Sequence, residues 1–284
     1  MSARVLSGAG ATGCRGVMTF PDGPEVELPA GDVTVGVVRI GDTVRRPRQD
    51  TSERVADYLR HLEAEGFDGA PRYLGVDAQG RDVLTYLDGD VPGTPVEAWA
   101  ADDSVLSGVA RLVRQLHDAS EGYDAPARAV PAGRPPPVFP DGEPRIFAQR
   151  DVTPQNTVFR DGVAWGLIDF DLCDWTTRSL DLANTAAHWV PMNDPADRAA
   201  VYTDIDVPAR IRLLLDGYGR DAVTAEQFLH ACELRFANSY AVMRWSAENL
   251  GGGWRRMWDE GVGDMIRRRE AWFAAVRDDL ARAL

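Results

Sequence analysis

The sequence contains no lysine; all 31 of its basic residues are arginines. Cysteine is also scarce, since the three residues Cys14, Cys173 and Cys232 are odd in number and far apart. No CxxC motif is present and no histidine stands at metal-ligand spacing from a cysteine, so neither a disulfide framework nor a zinc site is supported. The missing lysine, beside abundant Ala, Gly, Asp and Arg, is typical of a GC-rich coding bias.

Long apolar runs are missing as well. No run approaches the ~20 residues that a membrane-spanning helix needs. The Val5-Leu6 pair after Arg4 is too short for the apolar region of a signal peptide. We therefore expect a cytoplasmic protein with no membrane partner. The formal net charge of −13 argues against binding to nucleic acid or to an anionic membrane, and it permits a cationic ligand.

The length of 284 residues, with 44% hydrophobic and 26% charged residues, indicates a globular protein with one large domain or two lobes. Short β-type runs separated by turn residues fill residues 25–47, and a helix follows from Thr51 or Ser52 to Gly66. Beyond Pro92 the apolar spacing becomes helical. We expect an N-terminal arm at residues 1–24, a lobe with a sheet and a helix at residues 25–91, and a mainly helical lobe at residues 92–284.

Two short acidic motifs lie close together in the later half of the chain. Asp151 opens a run that ends at Asn156. An apolar strand predicted at residues 163–170 ends in a second run, which contains Asp169 and Asp171. Phosphoryl transfer needs a carboxylate that accepts a proton, and an amide and a carboxylate that hold Mg²⁺ against phosphates. Either motif alone is explained by a turn or a strand-end cap. Their order and spacing together favour phosphoryl transfer.

These motifs resemble those of the phosphotransferase enzyme family, the aminoglycoside-phosphotransferase-like small-molecule kinases that share the protein-kinase fold. The resemblance runs from about Leu28 to the C-terminus. Its specific part consists of residues 149–156, the Ile-Asp-Phe-Asp run at residues 168–171, and Asp-Leu-Ala at residues 181–183. The resemblance implies an α+β, protein-kinase-like fold with a small N-terminal antiparallel sheet lobe and a larger, mainly helical C-terminal lobe.

The resemblance also implies a role for each acidic or amide residue of these runs. Asp151 is the catalytic base or orients the attacking hydroxyl. Asn156 and Asp169 bind Mg²⁺. Asp181 is a structural acceptor for the backbone of the catalytic loop, and Asp171 supports the metal site or faces the acceptor.

Two departures from the family pattern concern Gln149 and the missing lysine. Gln149 stands where the family has histidine, and its amide can both donate and accept hydrogen bonds to support the loop. The family lysine that contacts the α- and β-phosphates of ATP or GTP must be replaced by an arginine. Strand alternation puts Val44 and Arg46 on one face, so that Arg46 faces the phosphates if Val44 covers the adenine. A solvated strand end is the alternative for Arg46.

The remaining nucleotide contacts are expected in the first lobe. Glu53 and Glu63 are the candidates for the helical glutamate that pairs with the basic residue, and the alternative is that both are simply solvated. Tyr86 and Leu87 fall at the hinge between the lobes, where backbone groups would hold the purine. An ordinary strand that ends in an Asp-Gly turn is the alternative for this segment.

Four other features have simpler interpretations. The run Gly-Ala-Gly-Ala-Thr-Gly at residues 8–13 matches a dinucleotide fingerprint, but we reject it because no buried strand precedes it and no helix follows. Residues 28–34 occupy the place of the phosphate-covering loop, and an ordinary hairpin explains them equally well. His117 is interpreted as structural. The acidic residues Asp259, Glu260 and Asp264 either recognise an amino-containing acceptor or form a solvated face.

The sequence therefore predicts a Mg²⁺-dependent kinase that transfers the γ-phosphate of ATP or GTP to a hydroxyl of a small molecule. The acceptor is expected to be an antibiotic or a related natural product, in resistance or self-protection. A metabolic kinase for choline, homoserine or a sugar amine is one alternative. An inactive, pseudokinase-like binding module is the other, and it is motivated by Gln149 and by the missing lysine.

Overall fold

Residues 20, 22–28, 36–126 and 129–284 are described by the computed structural model. Most of the expected N-terminal arm at residues 1–24 lies outside these described residues. The same holds for the whole glycine-rich run at residues 8–13, and for all but the first residue of the segment 28–34.

An antiparallel sheet forms the first lobe. Its elements are β1 (Val26–Glu27), β2 (Val38–Ile40), β3 (Thr43–Arg46), α1 (Ser52–Ala64), β4 (Tyr73–Val76) and β5 (Asp82–Thr85). The strands lie in the order β1-β2-β3-β5-β4, and each neighbouring pair is antiparallel. The tight turn between β2 and β3 contains Gly41 at φ 56°, a conformation that glycine adopts without strain. This turn places the end of β3 in the middle of the sheet.

The second lobe is mainly helical. Its elements are α2 (Asp103–Ala119), β6 (Arg145–Ala148), β7 (Thr157–Arg160), β8 (Val163–Leu167), β9 (Asp174–Thr177), α3 (Arg178–Trp189), α4 (Val207–Tyr218), α5 (Ala225–Asn249), α6 (Gly252–Asp259) and α7 (Val262–Ala283). Strands β6 and β9 pair with each other, as do β7 and β8. The predicted α+β architecture of a sheet lobe followed by a helical lobe is confirmed.

The two small β-ribbons of the second lobe bring the acidic motifs together. Strand β6 leads directly into residues 149–156, and β8 leads into residues 168–173 before the chain returns along β9. The strand predicted at residues 163–170 is too long, since β8 ends at Leu167. Asp169 has φ 55°, a left-handed conformation that interrupts a strand. The second acidic motif is therefore a loop, and its direction is set by this reversal.

Several contacts join the lobes near these loops. In α1, the hydroxyl of Tyr58 donates to the Phe147 carbonyl oxygen of β6 at 3.1 Å. After β5, Asp90 and Phe159 exchange both backbone hydrogen bonds, each 2.8 Å long. A Cβ on the neighbouring Gly89 would lie 2.4 Å from the Phe159 carbonyl oxygen, so this close approach requires glycine. The segment between the lobes is thus held against β7.

Helix α2 is at the centre of the helical lobe. Its buried face includes Leu106, Val109 and Val113, and it packs against α4 and β8. The same helix buries His117, whose Nδ1 is 2.8 Å from the Tyr218 hydroxyl of α4. This burial agrees with a structural role for the histidine. Among the described residues, no helix is both long and apolar enough to cross a membrane.

We predict that Leu106→Ala lowers the free energy of unfolding by about 2–5 kcal/mol, because it leaves a cavity in the middle of α2's buried face. Leu250→Ala is the matched control, since Leu250 is 57% exposed after α5, and it should change that free energy by less than about 0.5 kcal/mol. Urea unfolding followed by circular dichroism measures both values. Equal losses in the two variants would contradict this account of the core.

Candidate active site

Gln149 connects the two acidic loops. It is fully buried at the end of β6. Its Nε2 donates to the carbonyl oxygens of Ile168 at 2.9 Å and Asp169 at 2.8 Å, and its Oε1 accepts from the Asp151 backbone N–H at 2.7 Å. One amide therefore serves as both donor and acceptor, which a neutral side chain of this type can do without burying charge. These bonds fix the backbone of one loop relative to the other.

Helix α3 holds the first loop from the other side. Arg150 has φ 66°, which turns the chain sharply before Asp151. The Asn184 side chain donates to the Arg150 carbonyl oxygen at 2.6 Å, and the Trp189 indole donates to the Val152 carbonyl oxygen at 2.9 Å. The sequence analysis missed both anchors. The only sequence signal for the Asn184 anchor was its position, since Asn184 follows Asp181 by three residues and so shares its helix face.

Asp151 and Asn156 are in direct contact. The Asn156 Nδ2 donates to the Asp151 carboxylate at 2.8 Å and to its backbone carbonyl oxygen at 3.0 Å. Burial raises the pKa of Asp151 to about 6, and the negative charge of Asp169 adds to the rise. The Asn156 hydrogen bond and the positive charge of Arg235 act in the opposite direction. A carboxyl with this pKa is mostly ionised near neutral pH and can accept a proton.

Asp169 lies at the solvent-facing end of the second loop. The residue is exposed to solvent, but the surrounding protein still desolvates its carboxyl in part. This partial desolvation, followed by the like charge of Asp171, raises the pKa of Asp169. The cation of Arg46 lowers it again. An exposed carboxylate among other carboxylates is suited to bind a cation.

The residues present fit a divalent cation held by Asn156 and Asp169. The carboxyls of Asp151 and Asp169 repel each other, and a cation beside them would relieve that repulsion. Mg²⁺ prefers oxygen ligands and commonly uses one or two carboxylates with phosphate oxygens. Within the described part of the chain, no cluster of three or more His, Cys, Asp or Glu side chains is arranged to hold a metal. The Asn156 and Asp169 side chains suit a metal ion whose other ligands are phosphate oxygens of a nucleotide.

Arg46 reaches from the sheet lobe to the second loop. Its side chain is 9% exposed and donates to the Asp171 carboxylate, which is 14% exposed. The neighbouring Arg45 points the other way, toward Asp77 at 3.6 Å, as strand alternation predicts. The alternative of a solvated strand end is wrong for Arg46. One of its nitrogens, Nε, is buried without a hydrogen-bond partner among the described residues.

The two glutamates considered as partners of Arg46 are engaged elsewhere. Glu53 accepts a hydrogen bond from Arg48, and Glu63 lies 3.8 Å from Arg72. The two glutamate side chains are 83% and 51% exposed, so neither candidate pairs with Arg46 and the alternative of solvated glutamates fits both. The carboxylate that meets Arg46 is Asp171, from the other lobe.

Asp181 is buried in α3, but its carboxylate is placed differently from the expectation. Its Oδ2 is 2.9 Å from the Nε2 of His117 on α2. The hydrogen bond to the catalytic-loop backbone comes from Asn184 instead. Asp181 thus supports the packing of α3 on α2, one helical turn from the loop contact.

The hinge residues Tyr86 and Leu87 follow β5 directly. The Tyr86 N–H donates to the Asp42 carbonyl oxygen at 2.8 Å, and the Arg39 guanidinium stacks 3.7 Å above its ring. Leu87 packs closely on β8, since a Cβ added to Gly166 would lie 3.0 Å from its Cδ1. One backbone group of Tyr86 is therefore already hydrogen-bonded within the sheet. Purine binding by this segment stays a prediction.

The same residues are matched by comparison with known proteins. The model of the phosphotransferase enzyme family matches residues 123–214, which include both acidic loops. The chain is also similar to the trifolitoxin immunity protein of Rhizobium leguminosarum bv. trifolii. The two are 31% identical over 203 residues, which are 69% of this chain and 74% of that protein.

Solved structures share the fold at lower identity. A choline/ethanolamine kinase family protein from Mesorhizobium loti superimposes with a TM-score of 0.57 and 16% identity, over 92% of this chain and 91% of that one. The amicoumacin kinase hAmiN, solved with AMP-PNP, Ca²⁺ and Ami, gives a TM-score of 0.56 and 11% identity, over 90% of each chain. These likenesses support the two-lobed fold.

We predict that Gln149→Ala lowers the free energy of unfolding by about 1–3 kcal/mol, because it removes a buried donor from the part-buried carbonyl oxygens of Ile168 and Asp169. Gln79→Ala is the matched control, since Gln79 is exposed between β4 and β5. Its effect should stay below about 0.5 kcal/mol. Denaturant midpoints measure both. If Gln149→Ala unfolded at the same midpoint as the control, the amide would not hold the loops.

The pKa of Asp151 predicts a pH-dependent stability in metal-free buffer. The folded-state value of about 6 lies above the ordinary 3.8, so the native state favours the protonated carboxyl. The stability that this group contributes is fully present below pH 3.8 and is lost as the pH rises through 6. Asp151→Asn cannot ionise. It should therefore raise the thermal midpoint over the wild type at pH 7.5 and much less at pH 4.5.

Asp161→Asn serves as the control for this pH experiment, since Asp161 is exposed in the turn between β7 and β8. Asparagine also tolerates the left-handed φ of 49° at that position. Its midpoint should follow the wild type at both pH values. If the thermal midpoint of Asp151→Asn also followed the wild type at both pH values, the folded protein would not disfavour the charge of Asp151.

Proposed function

The chain belongs to the phosphotransferase enzyme family, whose members phosphorylate hydroxyl groups of small molecules, and on that premise we propose a Mg²⁺-dependent kinase that protects against an antibiotic. The donor is ATP or GTP, and the acceptor is a hydroxyl of a natural-product antibiotic. The relative named as a trifolitoxin immunity protein supports the protective role.

The observation that carries the proposal is the convergence of Asp151, Asn156 and Asp169. Gln149 holds the two loops at fixed positions, so the carboxylates meet the substrates without rearrangement. Preorganised groups of this kind lower the barrier by positioning and by electrostatics, which are the main contributions in phosphoryl transfer. The retention of all three groups supports transfer over an inactive binding module.

Each residue has a defined task in the proposed reaction. Asp151 orients the acceptor hydroxyl and takes its proton, which its pKa of about 6 permits near neutral pH. Asn156 and Asp169 would hold Mg²⁺, which neutralises charge on the nucleotide phosphates when bound. Arg46 would contact the phosphates from the sheet lobe, and Asp171 keeps its guanidinium over the second loop.

We predict that purified protein adds one phosphate to an antibiotic acceptor in the presence of Mg²⁺ and ATP or GTP. Mass spectrometry across aminoglycoside, macrolide, peptide and nucleoside antibiotics would detect the adduct. Asp151→Ala should reduce the rate by about 10²–10⁴-fold, since it removes the proton acceptor. Asp161→Ala, at an exposed position, should keep the wild-type rate.

Two results would contradict this proposal. One is folded wild-type protein that consumes neither nucleotide with any compound of the panel. The other is Asp151→Ala protein that transfers phosphate as fast as Asp161→Ala. Expression of the wild type in a sensitive strain, tested drug by drug, separates a protective kinase from a metabolic one.

A further inference from the structure

Two arginines of the helical lobe lie near each other, and one of them, Arg235, is close to the catalytic loop. Arg235, on α5, donates to the Asn184 Oδ1 at 2.8 and 3.0 Å. Asn184 in turn donates to the carbonyl oxygen of Arg150, the residue before Asp151. Arg235 is close enough to Asp151 for its positive charge to lower the pKa of that carboxyl. Arg235 is therefore linked to the proposed base both through Asn184 and through its charge.

The second arginine, Arg269, comes from α7. Its side chain is largely buried, with 8% of the residue exposed, and its Nε donates to the Asn193 Oδ1. Its guanidinium carbon is 5.7 Å from the centre of the Phe236 ring. The negative charge of Asp197 acts on Arg269, but the Asp197 carboxylate is bound to the exposed Arg268 at 2.6 and 2.8 Å.

Neither guanidinium forms a direct ion pair among the residues that the structure describes. The hydrogen-bond partners of Arg235 are Asn184 and the Ser239 hydroxyl, and that of Arg269 is Asn193, all neutral. No described carboxylate lies within 4.0 Å of either arginine. Cations removed from water without a paired anion are costly, so such groups mark a place where a ligand supplies the charge.

The electrostatics agree with this geometry. Burial first, and then the like charges of Arg269 and Arg150, lower the pKa of Arg235 to about 10, although Asp151 and Asp181 act in the opposite direction. Burial lowers the pKa of Arg269 to about 10 against the opposing charge of Asp197. Between them, His188 has a pKa of about 3, because of burial first and then the charges of Arg269 and Arg235. His188 is thus neutral, and the pair of arginines carries the charge.

We propose that Arg235 and Arg269 bind an oxyanion of the acceptor, a carboxylate or a phosphate, next to the hydroxyl that faces Asp151. This rests on the proposed kinase function and names the chemical class of its substrate. Guanidinium groups bind carboxylates and phosphates through paired hydrogen bonds, which gives both affinity and orientation.

A cationic acceptor is disfavoured by the same observations. The acidic residues considered for an amino-containing acceptor, Asp259, Glu260 and Asp264, are all exposed on α6 and α7 or between them. Asp259 is bound at 2.9 Å to Arg255 of its own helix. By contrast, Arg269 is buried and Arg235 is half-buried in the helical lobe.

The test uses four small hydroxyl compounds that differ in charge: D-glycerate, glycerol 3-phosphate, glycerol and ethanolamine. Titration calorimetry of the full chain, saturated with Mg²⁺ and a non-hydrolysable ATP analogue, measures their binding. The bound analogue keeps the anions from the nucleotide phosphate site. We expect the anions to bind at least about tenfold more tightly than glycerol and ethanolamine, as a charge-assisted hydrogen bond requires. If D-glycerate binds more tightly than glycerol 3-phosphate, the oxyanion is a carboxylate, and if glycerol 3-phosphate binds more tightly, it is a phosphate.

The variants assign this binding to residues. Arg235→Gln and Arg269→Gln should each weaken anion binding by about tenfold or more, and Arg235→Lys should recover part of the loss. Arg244→Gln on α5 and Arg282→Gln on α7 are matched controls, since these side chains are 59% and 71% exposed. Because the calorimetry uses folded protein, a shift in thermal midpoint does not hide the result.

Two binding results would overturn the inference: ethanolamine that binds more tightly than either anion, and anion binding that is unchanged in both glutamine variants. Transfer of phosphate only to neutral or cationic acceptors would likewise overturn it while leaving the kinase function intact. Anion binding that depends on both arginines, in a protein that transfers no phosphate to any acceptor, would instead remove the kinase function and keep the ligand class.

Discussion

The side-chain amide of Gln149 fixes the two acidic loops relative to each other, and the geometry of the site depends on it. Its Nε2 and Oε1 are both used, on backbone groups 19 and 2 residues away. A buried hydrogen bond of this kind is strong because the surroundings are poor in water, and it is costly to lose. The family pattern has histidine here, yet what the loops require is a neutral side chain that donates and accepts.

Charge of both signs is concentrated around these loops without full compensation. Asp151 and Asp169 lie in the two acidic loops, and the pKa of each carboxyl is raised. Arg235 and Arg269 face the helical lobe, where neutral amides and a hydroxyl are their partners. Charges of this kind are suited to ligands that neutralise them. The proposed ligands are a cation with phosphates at the carboxylates and an oxyanion at the arginines.

Local features were predictable in detail, and distant partners were not. Strand β3 has the predicted bounds of its alternating run, and Asn156 contacts Asp151 as a five-residue spacing across a turn allows. Arg46 was placed on the correct face of β3, since alternation is a property of the strand itself. Its partner, Asp171, lies 125 residues away. The glutamates proposed by analogy occupy the surface of α1 instead, because the packing of the two lobes decides which carboxylate reaches the arginine.

The sequence by itself determined which chemical groups the site contains, their order along the chain, and the α+β class of the fold, because these follow from residue type, spacing and periodicity. Only the tertiary structure decided that Asp181 meets His117, that Asn184 supports the catalytic loop, and that Arg235 binds Asn184. Contacts between separate helices depend on their crossing and rotation in the packed core. Those quantities arise from the sum of many weak apolar contacts, and no short motif encodes them.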